Sequence, residues 1–400
     1  MTRVLALLVA GALALGTGCS YKNETSPTPS ATATATEPKL FVGLTEDAFK
    51  LVPDAALPAA RELGVATFRI TVPWEPGART LPPEVVAQLD VMVSARASER
   101  FVAALYGRPD AAPLDETARD DYCAYAADLV ERYPVINDLI VWNEPNKSYF
   151  WQPQFDELGA SAAPAAYVEL LAHCWDVLHA LRPEVNVIAP ATAPNGNDRP
   201  DARSNISHSP GEFIKEMGLA YRESGRDEPL FDTVGHHAYG PNPAAPPATD
   251  HRGSTISEGD YADLIEVLSE AFSGTAQAVP GECTEERCTY IWYLETGYQT
   301  TVIPEKLAVY TGEENVETIS PEEQGAQFRR AVELAACQPY VQGYFNFLMW
   351  DEARLEGWQS GPFWADRTPK ASYGEFQGVI ADVDAGRVDC STVEGAPPAG

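Results

Sequence analysis

Eight short apolar segments alternate with eight amphipathic segments along most of the 400-residue chain, and this alternation constrains the fold strongly. The apolar segments have no polar face, which is typical of buried parallel strands, and the amphipathic segments repeat apolar residues every three or four positions, as helices do. The strand-like segments span residues 39–44, 67–74, 100–107, 136–146, 185–194, 230–240, 288–298 and 341–352. The helix-like segments span residues 54–64, 83–99, 116–133, 164–183, 211–225, 260–274, 322–339 and 370–383.

Strands that alternate with helices predict a parallel sheet, and a count of eight favours a closed barrel over an open sheet. Such a barrel usually needs about 250 residues. The additional length falls in four segments that follow strands, at residues 145–163, 240–259, 299–321 and 351–369. The sequence therefore predicts an α/β fold with one (β/α)8 (TIM) barrel and long βα loops over residues 39–390, followed by a flexible tail at 391–400.

The first residues are typical of an export signal. Arg3 precedes the apolar run "VLALLVAGALAL" at 4–15, which is too short to span a bilayer. "GTGCS" then places Cys19 after small residues, which resembles the signal of bacterial lipoproteins, in which this cysteine is lipidated. We predict a signal peptide at 1–19 that ends in a lipidated cysteine, with plain secretion or an uncleaved anchor as alternatives.

A tether and a set of cysteines support export. Residues 20–38 are rich in Ser, Thr, Pro and Ala, which predicts a disordered tether. Of seven cysteines, six remain after the signal segment, and an even number indicates disulfides. Our pairing hypothesis, one of fifteen connectivities, with buried free thiols as the alternative, joins Cys123 to Cys174, Cys283 to Cys288 and Cys337 to Cys390.

Composition excludes some partners. The formal net charge of −30 disfavours nucleic acid and anionic membrane surfaces, so we expect membrane contact only through the lipid anchor. The chain has no C-x-x-C pair, which disfavours a zinc site, and the adjacent His236 and His237 should point to opposite faces of a strand. We therefore expect no metal and no cofactor.

Catalytic groups of such a barrel come from the C-terminal ends of different strands. "IVWNEPN" at 140–146 ends a buried segment on Glu144, and "YLETG" at 293–297 ends another on Glu295. A buried carboxylate is costly unless something uses it. Two acids that face one cleft suit acid/base or nucleophilic work, although each could instead be a structural acid paired with a cation such as Arg69.

"WNEPN" at the end of a fourth strand, with the glutamate of "YLETG" at the end of a seventh, resembles the clan-A retaining glycoside hydrolases. The resemblance covers residues 39–385. It implies a TIM barrel in which Glu144 is the acid/base and Glu295 the nucleophile. It also implies an oligo- or polysaccharide substrate, neutral or weakly charged, with β linkages.

The resemblance implies further site residues. Asn143 would bind the sugar 2-hydroxyl, Arg69 would pair with Glu295, and His237 would line the sugar subsite. Tyr239 would donate a hydrogen bond to the nucleophile, and Trp350 would form the floor of the subsite for the cleaved sugar. Two further aromatic residues at strand ends complete the predicted substrate-binding set, Trp74 and Tyr298.

The family within the clan stays open. Family 5 enzymes usually carry a histidine at the end of strand three, where this chain has Tyr106, and the wording "WNEPN" is closer to family 39. The predicted function is that of an exported retaining glycoside hydrolase at the cell surface or secreted. The alternatives are a transglycosylase that acts on envelope polysaccharide and a non-catalytic barrel that binds carbohydrate.

Overall fold

The strands close into a barrel in sequence order, and the last strand pairs with the first. The computed structural model describes residues 39–283 and 288–398, so the predicted signal segment with Cys19 and the predicted tether lie outside the described residues. All neighbouring strands run parallel, which confirms the predicted (β/α)8 barrel. The strands are β1 Phe41–Thr45, β2 Thr67–Pro73, β3 Arg100–Tyr106, β4 Asp138–Val141, β5 Asn186–Thr192, β6 Thr233–His237, β7 Tyr290–Thr296 and β8 Val341–Phe347.

A helix follows each strand, as the periodicity predicts. The helices are α1 Ala48–Leu51, α2 Pro53–Leu63, α3 Pro83–Ala95, α4 Glu116–Arg132, α5 Ala163–Leu181, α6 Pro210–Ser224, α7 Tyr261–Phe272, α8 Pro321–Cys337 and α9 Tyr373–Asp384. Short 3-10 segments lie at Pro109–Ala111, Glu258–Asp260 and Pro304–Val309. Within the described residues, no helix combines the length and the apolarity that a membrane span requires.

Strands β4 and β8 each end five residues earlier than the sequence predicts. The backbone turns into the left-handed region at Trp142 (φ 68°) and at Leu348 (φ 70°), and this conformation cannot continue a strand ladder. Strands β4 and β8 therefore stop at Val141 and Phe347. As a result, Glu144 and Trp350 lie on loops just beyond the strands instead of on the strands themselves.

Large aromatic residues fill the barrel interior, and glycines make room for them. Trp292 and Phe345 belong to the inner cluster. A Cβ atom at Gly43 would lie 2.5 Å from the Phe345 ring, and one at Gly343 would lie 3.0 Å from Trp292. Glycine at these two strand positions therefore lets the interior pack with side chains larger than the usual Val, Ile and Leu.

Helix ends follow local capping chemistry. The Asp115 side chain accepts a hydrogen bond from the backbone of α4, and Ser209 does the same for α6. Ser320 and Glu323 form a capping box at the start of α8, which satisfies two N–H groups that the helix leaves free. These caps make the segment boundaries readable from sequence.

All three predicted cysteine pairs are disulfides. Cys123–Cys174 joins α4 to α5 across 51 residues of sequence, and Cys337–Cys390 joins the end of α8 to the chain beyond α9 across 53. Cys283–Cys288 closes a short loop before β7. The two long-range bonds therefore tie neighbouring parts of the outer helical layer together.

Candidate active site

Glu144 is held on a strained turn directly after β4. Its own φ is 40°, and Trp142 two residues earlier is also left-handed. Such conformations cost on the order of 1–3 kcal/mol each and persist only where the surroundings enforce them. Here Trp142 packs edge to face on Trp74 and Trp151, and its indole N–H donates to the Phe150 carbonyl at 2.7 Å. The aromatic packing thus holds the acid at the rim of the barrel.

Glu295, near the end of β7, is fixed by two donors. Arg69 Nη1 lies 2.5 Å from Glu295 Oε1, and the Tyr239 hydroxyl donates to Oε2 at 3.1 Å. The second arm of the guanidinium, Nη2, donates to Asn143 Oδ1 at 2.5 Å. Arg69 is only 3% exposed, so water shields its charge little. This β2 side chain therefore connects Asn143, just after β4, to Glu295 on β7.

His237 connects the two carboxylates. Its Nδ1 lies 2.8 Å from Glu144 Oε1 and 3.6 Å from Glu295 Oε2. Its neighbour His236 points elsewhere, with Nδ1 2.9 Å from Thr192 Oγ1. Burial lowers the pKa of His236 to about 4, so that ring is neutral near pH 7. The histidine doublet is therefore divided between two environments, as strand alternation predicts.

The carboxylates of Glu144 and Glu295 lie close together. One oxygen from each and one nitrogen of His237 all lie within 4.8 Å of one another. Three such atoms could in principle ligate a metal ion. However, the Arg69 guanidinium already provides positive charge at Glu295, which disfavours a divalent cation on the same carboxylate. The arrangement is better suited to proton transfer and nucleophilic attack.

Tyr239 stays protonated in this setting. Burial and the neighbouring Glu295 raise the pKa of its phenol well above the usual value of 10. The hydroxyl can therefore act only as a donor toward the carboxylate that it contacts.

Six of the nine predicted site residues in the barrel meet at one place. The six that meet are Arg69, Asn143, Glu144, His237, Tyr239 and Glu295.

The structure does not bring Trp74 or Tyr298 into this cluster, because both side chains lie in the core. Trp74 is 1% exposed and donates to the Ala78 carbonyl, and Tyr298 is 6% exposed and packs on Phe328. The His237 side chain is also fully buried, and its Nδ1 lies near the carboxylates of Glu144 and Glu295.

Trp350 lies just beyond β8 and is half-buried. The guanidinium carbon of Arg367 lies 4.3 Å from the centroid of its ring, within the range of a cation–π contact. One face of this indole is therefore covered by a cation.

The sequence-based predictions did not include a third carboxylate at the rim, that of Glu46. Glu46 directly follows β1, and its Oε1 and Oε2 accept hydrogen bonds from the backbone N–H groups of Ala48 (2.9 Å) and Met349 (3.2 Å). Burial raises the pKa of this carboxyl group. Its position after the apolar segment "FVGLT" is the same signal that identified Glu144, so the strand-end rule could have found it.

Comparison with known proteins finds similar solved structures but no match to a family model or to a curated protein. A family 39 glycoside hydrolase from the gut symbiont Bacteroides cellulosilyticus WH2 superimposes with a TM-score of 0.57 at 16% identity, over 86% of this chain and 64% of that one. This chain thus spans slightly less than two thirds of that protein.

Two further structures are similar. A glucosidase from Croceicoccus marinus gives a TM-score of 0.58 at 14% identity, over 87% of this chain and 67% of its own. A monomeric β-xylosidase from Caulobacter crescentus CB15 gives 0.52 at 18% identity, over 86% and 69%. The structural neighbours of this chain thus include family 39 glycoside hydrolases, with which it shares the (β/α)8 barrel fold.

Proposed function

We propose that the protein is an exported retaining glycoside hydrolase that cleaves β-glycosidic bonds in oligo- or polysaccharides. The observation that carries the proposal is the pair of glutamates from β4 and β7 at one rim, with carboxylate oxygens within 4.8 Å. Retaining enzymes separate their two carboxyl groups by about 5–5.5 Å, whereas inverting enzymes need about 6.5–9.5 Å to admit a water molecule.

In the first step, Glu295 attacks the anomeric carbon while Glu144 donates a proton to the leaving oxygen. This forms a covalent bond from sugar to Glu295 and releases the rest of the glycan as an alcohol. In the second step, Glu144 removes a proton from water, which attacks the same carbon and frees Glu295. Two displacements at one carbon retain its configuration.

The surrounding residues support these roles. Arg69 and Tyr239 each hold one oxygen of Glu295, which restricts the carboxylate to a narrow range of orientations. Asn143 is oriented because Arg69 donates to its carbonyl oxygen, which leaves its amide group as a donor for the sugar 2-hydroxyl. His237 lies between the two acids, and its contact with Glu144 holds that carboxyl group near the bond between the anomeric carbon and the leaving oxygen.

Export is part of the proposal. Three disulfides fit an oxidising compartment, since cytosolic thiols are usually kept reduced. We propose that Cys19 carries the lipid anchor. A Cys19→Ala variant should then leave the membrane fraction and appear in the medium, and retention of that variant in the membrane would contradict the anchor.

The catalytic roles are tested with Glu295→Ala and Glu144→Ala on a panel of aryl β-glycosides. We expect Glu144→Ala to lower kcat by about 10²–10⁴-fold and Glu295→Ala to lower it at least as much. Azide should rescue both variants with opposite products, an α-glycosyl azide from Glu295→Ala and a β-glycosyl azide from Glu144→Ala. The exposed loop residue Glu157 provides the matched control, and Glu157→Ala should retain activity.

Two outcomes would contradict the proposal. Activity in Glu295→Ala equal to wild type would remove Glu295 from the reaction. Binding of glycans by wild type with no cleavage of any aryl glycoside or oligosaccharide would favour the non-catalytic alternative.

A further inference from the structure

A groove of about 360 Å³ is lined in part by Tyr239, whose hydroxyl donates to Glu295. The loops after β6, β7 and β8 form its walls, and the other residues that line it include Gly240, Asn242, Gln299, Val316, Glu317 and Trp358. The groove therefore meets the proposed cleavage site at Tyr239, and its volume falls within the range of small-molecule sites.

Trp358 provides a firmly held aromatic surface in this groove. Its ring lies 5.2 Å from the ring of Tyr239 and 5.2 Å from that of Phe347. Its backbone is tied to Glu352 twice, through Trp358 N to Glu352 Oε2 at 2.7 Å and Glu352 N to the Trp358 carbonyl at 2.9 Å. The indole is only half-buried, so it retains apolar surface for a ligand.

The chemistry of the walls selects a class of ligand. A half-exposed indole offers a flat apolar face, which suits the C–H face of a sugar ring. Asn242 and Gln299 add side-chain amides, and Glu317 is the one charged side chain among the described residues that line the groove. A carboxylate without a neighbouring cation accepts hydroxyl hydrogen bonds but repels uronic acids and sulfated sugars. The net charge of −30 acts in the same direction.

We propose that this groove binds a second, neutral sugar unit of the substrate, next to the unit that is cleaved. The protein is then adapted to glycan chains and not to terminal monosaccharide conjugates alone. This inference rests on the proposed function, because it treats the groove as an extension of the Glu144–Glu295 site.

Three variants test the groove in different ways. Trp358→Ala removes the stacking surface, and Trp358→Phe keeps an aromatic ring at the same place. Val316→Trp, in the loop after β7, places bulk in the groove and leaves the contact between Trp358 and Tyr239 intact. All variants are first compared with wild type by circular dichroism and thermal unfolding, to identify any that fail to fold.

The substrates differ in length, in sugar and in leaving group. The kcat/KM values are measured on aryl β-monoglycosides, on aryl β-disaccharides, and on unmodified gluco-, xylo- and manno-oligosaccharides of two to six units. We expect the ratio of oligosaccharide to monoglycoside kcat/KM to fall on the order of tenfold in Trp358→Ala and Val316→Trp, as for one lost stacking contact. Trp358→Phe should restore most of it.

The pattern of losses locates the second unit. A loss on aryl disaccharides places it on the non-reducing side of the cleaved bond, and a loss only on oligosaccharides extended at the leaving group places it on the other side. Either result supports the proposal. Equal effects on monoglycosides and oligosaccharides, or a wild type without preference for the longer substrates, would overturn it.

Binding separates this inference from the proposed function. Calorimetry on Glu144→Gln with the same oligosaccharides should show affinity that rises from one to two or more units and falls when Trp358→Ala is added. That result without any turnover by wild type would keep the groove and reject the hydrolase. Affinity independent of chain length would reject the groove, whatever the activity.

Discussion

At the scale of single residues, Arg69 links the proposed nucleophile to Asn143. It contacts Glu295 and Asn143 with separate nitrogens and is nearly inaccessible to water. Its planar guanidinium presents these two donors in a fixed fork, whereas a lysine has a single nitrogen and lacks this geometry. The orientation of the proposed nucleophile therefore depends on a residue that does not itself react.

We expect Arg69→Lys to lower kcat/KM by about 10²–10³-fold, the usual effect of losing one preorganised donor. The single ammonium can pair with Glu295 but leaves Asn143 unheld. Steady-state kinetics on the best aryl glycoside provide the measurement. Arg79→Lys is the matched control, because Arg79 is exposed and pairs with Asp121 on the surface. Equal losses in the two variants would contradict the role of Arg69.

At the scale of elements, a buried ion pair within the loop after β8 is hydrogen-bonded to the loop after β7. Lys370 Nζ lies 2.7 Å from Asp351 Oδ1, and both side chains are completely buried. Lys370 also donates to Thr300 Oγ1 at 2.8 Å and to the Gln359 carbonyl at 2.9 Å. The Tyr310 hydroxyl donates to the second oxygen of Asp351 at 2.8 Å. These contacts hold two of the loops that form the walls of the groove that contains Trp358, those after β7 and β8.

Asp351→Asn should lower the free energy of unfolding by about 3–5 kcal/mol, because it leaves the Lys370 charge buried without a counterion. The double variant Asp351→Asn/Lys370→Met should lose less, since it removes both charges. Urea unfolding of the two single variants and the double variant measures the coupling. Strictly additive effects would show that the pair does not act as a unit.

The loops after β4 and β5 are joined by an uncharged histidine. His208 Nδ1 donates to Gln154 Oε1 at 2.9 Å, and Nε2 accepts from the Ser161 hydroxyl at 2.9 Å. The neutral ring satisfies both partners, whereas a protonated ring could no longer accept from Ser161. Burial lowers the pKa of His208 to about 4.

The pKa of His208 predicts a pH dependence of stability. In the unfolded chain the His208 ring binds a proton below its pKa of about 6.5. In the folded state the same ring stays neutral until the pH falls to about 4. Stability from this group is therefore full above pH 6.5 and is lost as the pH falls toward 4, by up to about 3 kcal/mol. Relative to His208→Gln, wild type should lose this much more stability over that range in urea unfolding. Parallel pH curves for the two proteins would contradict it.

At the scale of the whole molecule, a disulfide that closes a longer loop should stabilise the fold more than one that closes a shorter loop. Cys123–Cys174 spans 51 residues and Cys283–Cys288 spans five. The loop-entropy relation gives about 4 kcal/mol for the longer loop and about 2 kcal/mol for the shorter. The paired Cys→Ala variants should therefore differ by about 2 kcal/mol in their free energies of unfolding. A larger loss from the short loop would contradict this account.

The barrel and the pair of glutamates could be predicted because both follow from local sequence patterns. Strand and helix periods gave the element order, and a carboxylate placed where a buried strand stops identified Glu144 and Glu295. That Trp74 packs in the core could not be predicted, because the direction of a side chain at a strand end depends on where the chain turns. The shape of the groove at Trp358 could not be predicted either, because long loops are shaped by tertiary contacts, such as that of Lys370 with Asp351, which have no period.

In the proposed mechanism, Glu295 forms a covalent bond with the sugar during turnover. The most direct measurement is mass spectrometry of the protein after incubation with 2-deoxy-2-fluoro-β-glycosides that carry a good leaving group, matched to the best aryl glycoside substrate. We expect one added fluoro-sugar per molecule, on the peptide that contains Glu295, and none on Glu295→Ala. Label on a different residue, or turnover of the parent glycoside with inverted configuration, would contradict it.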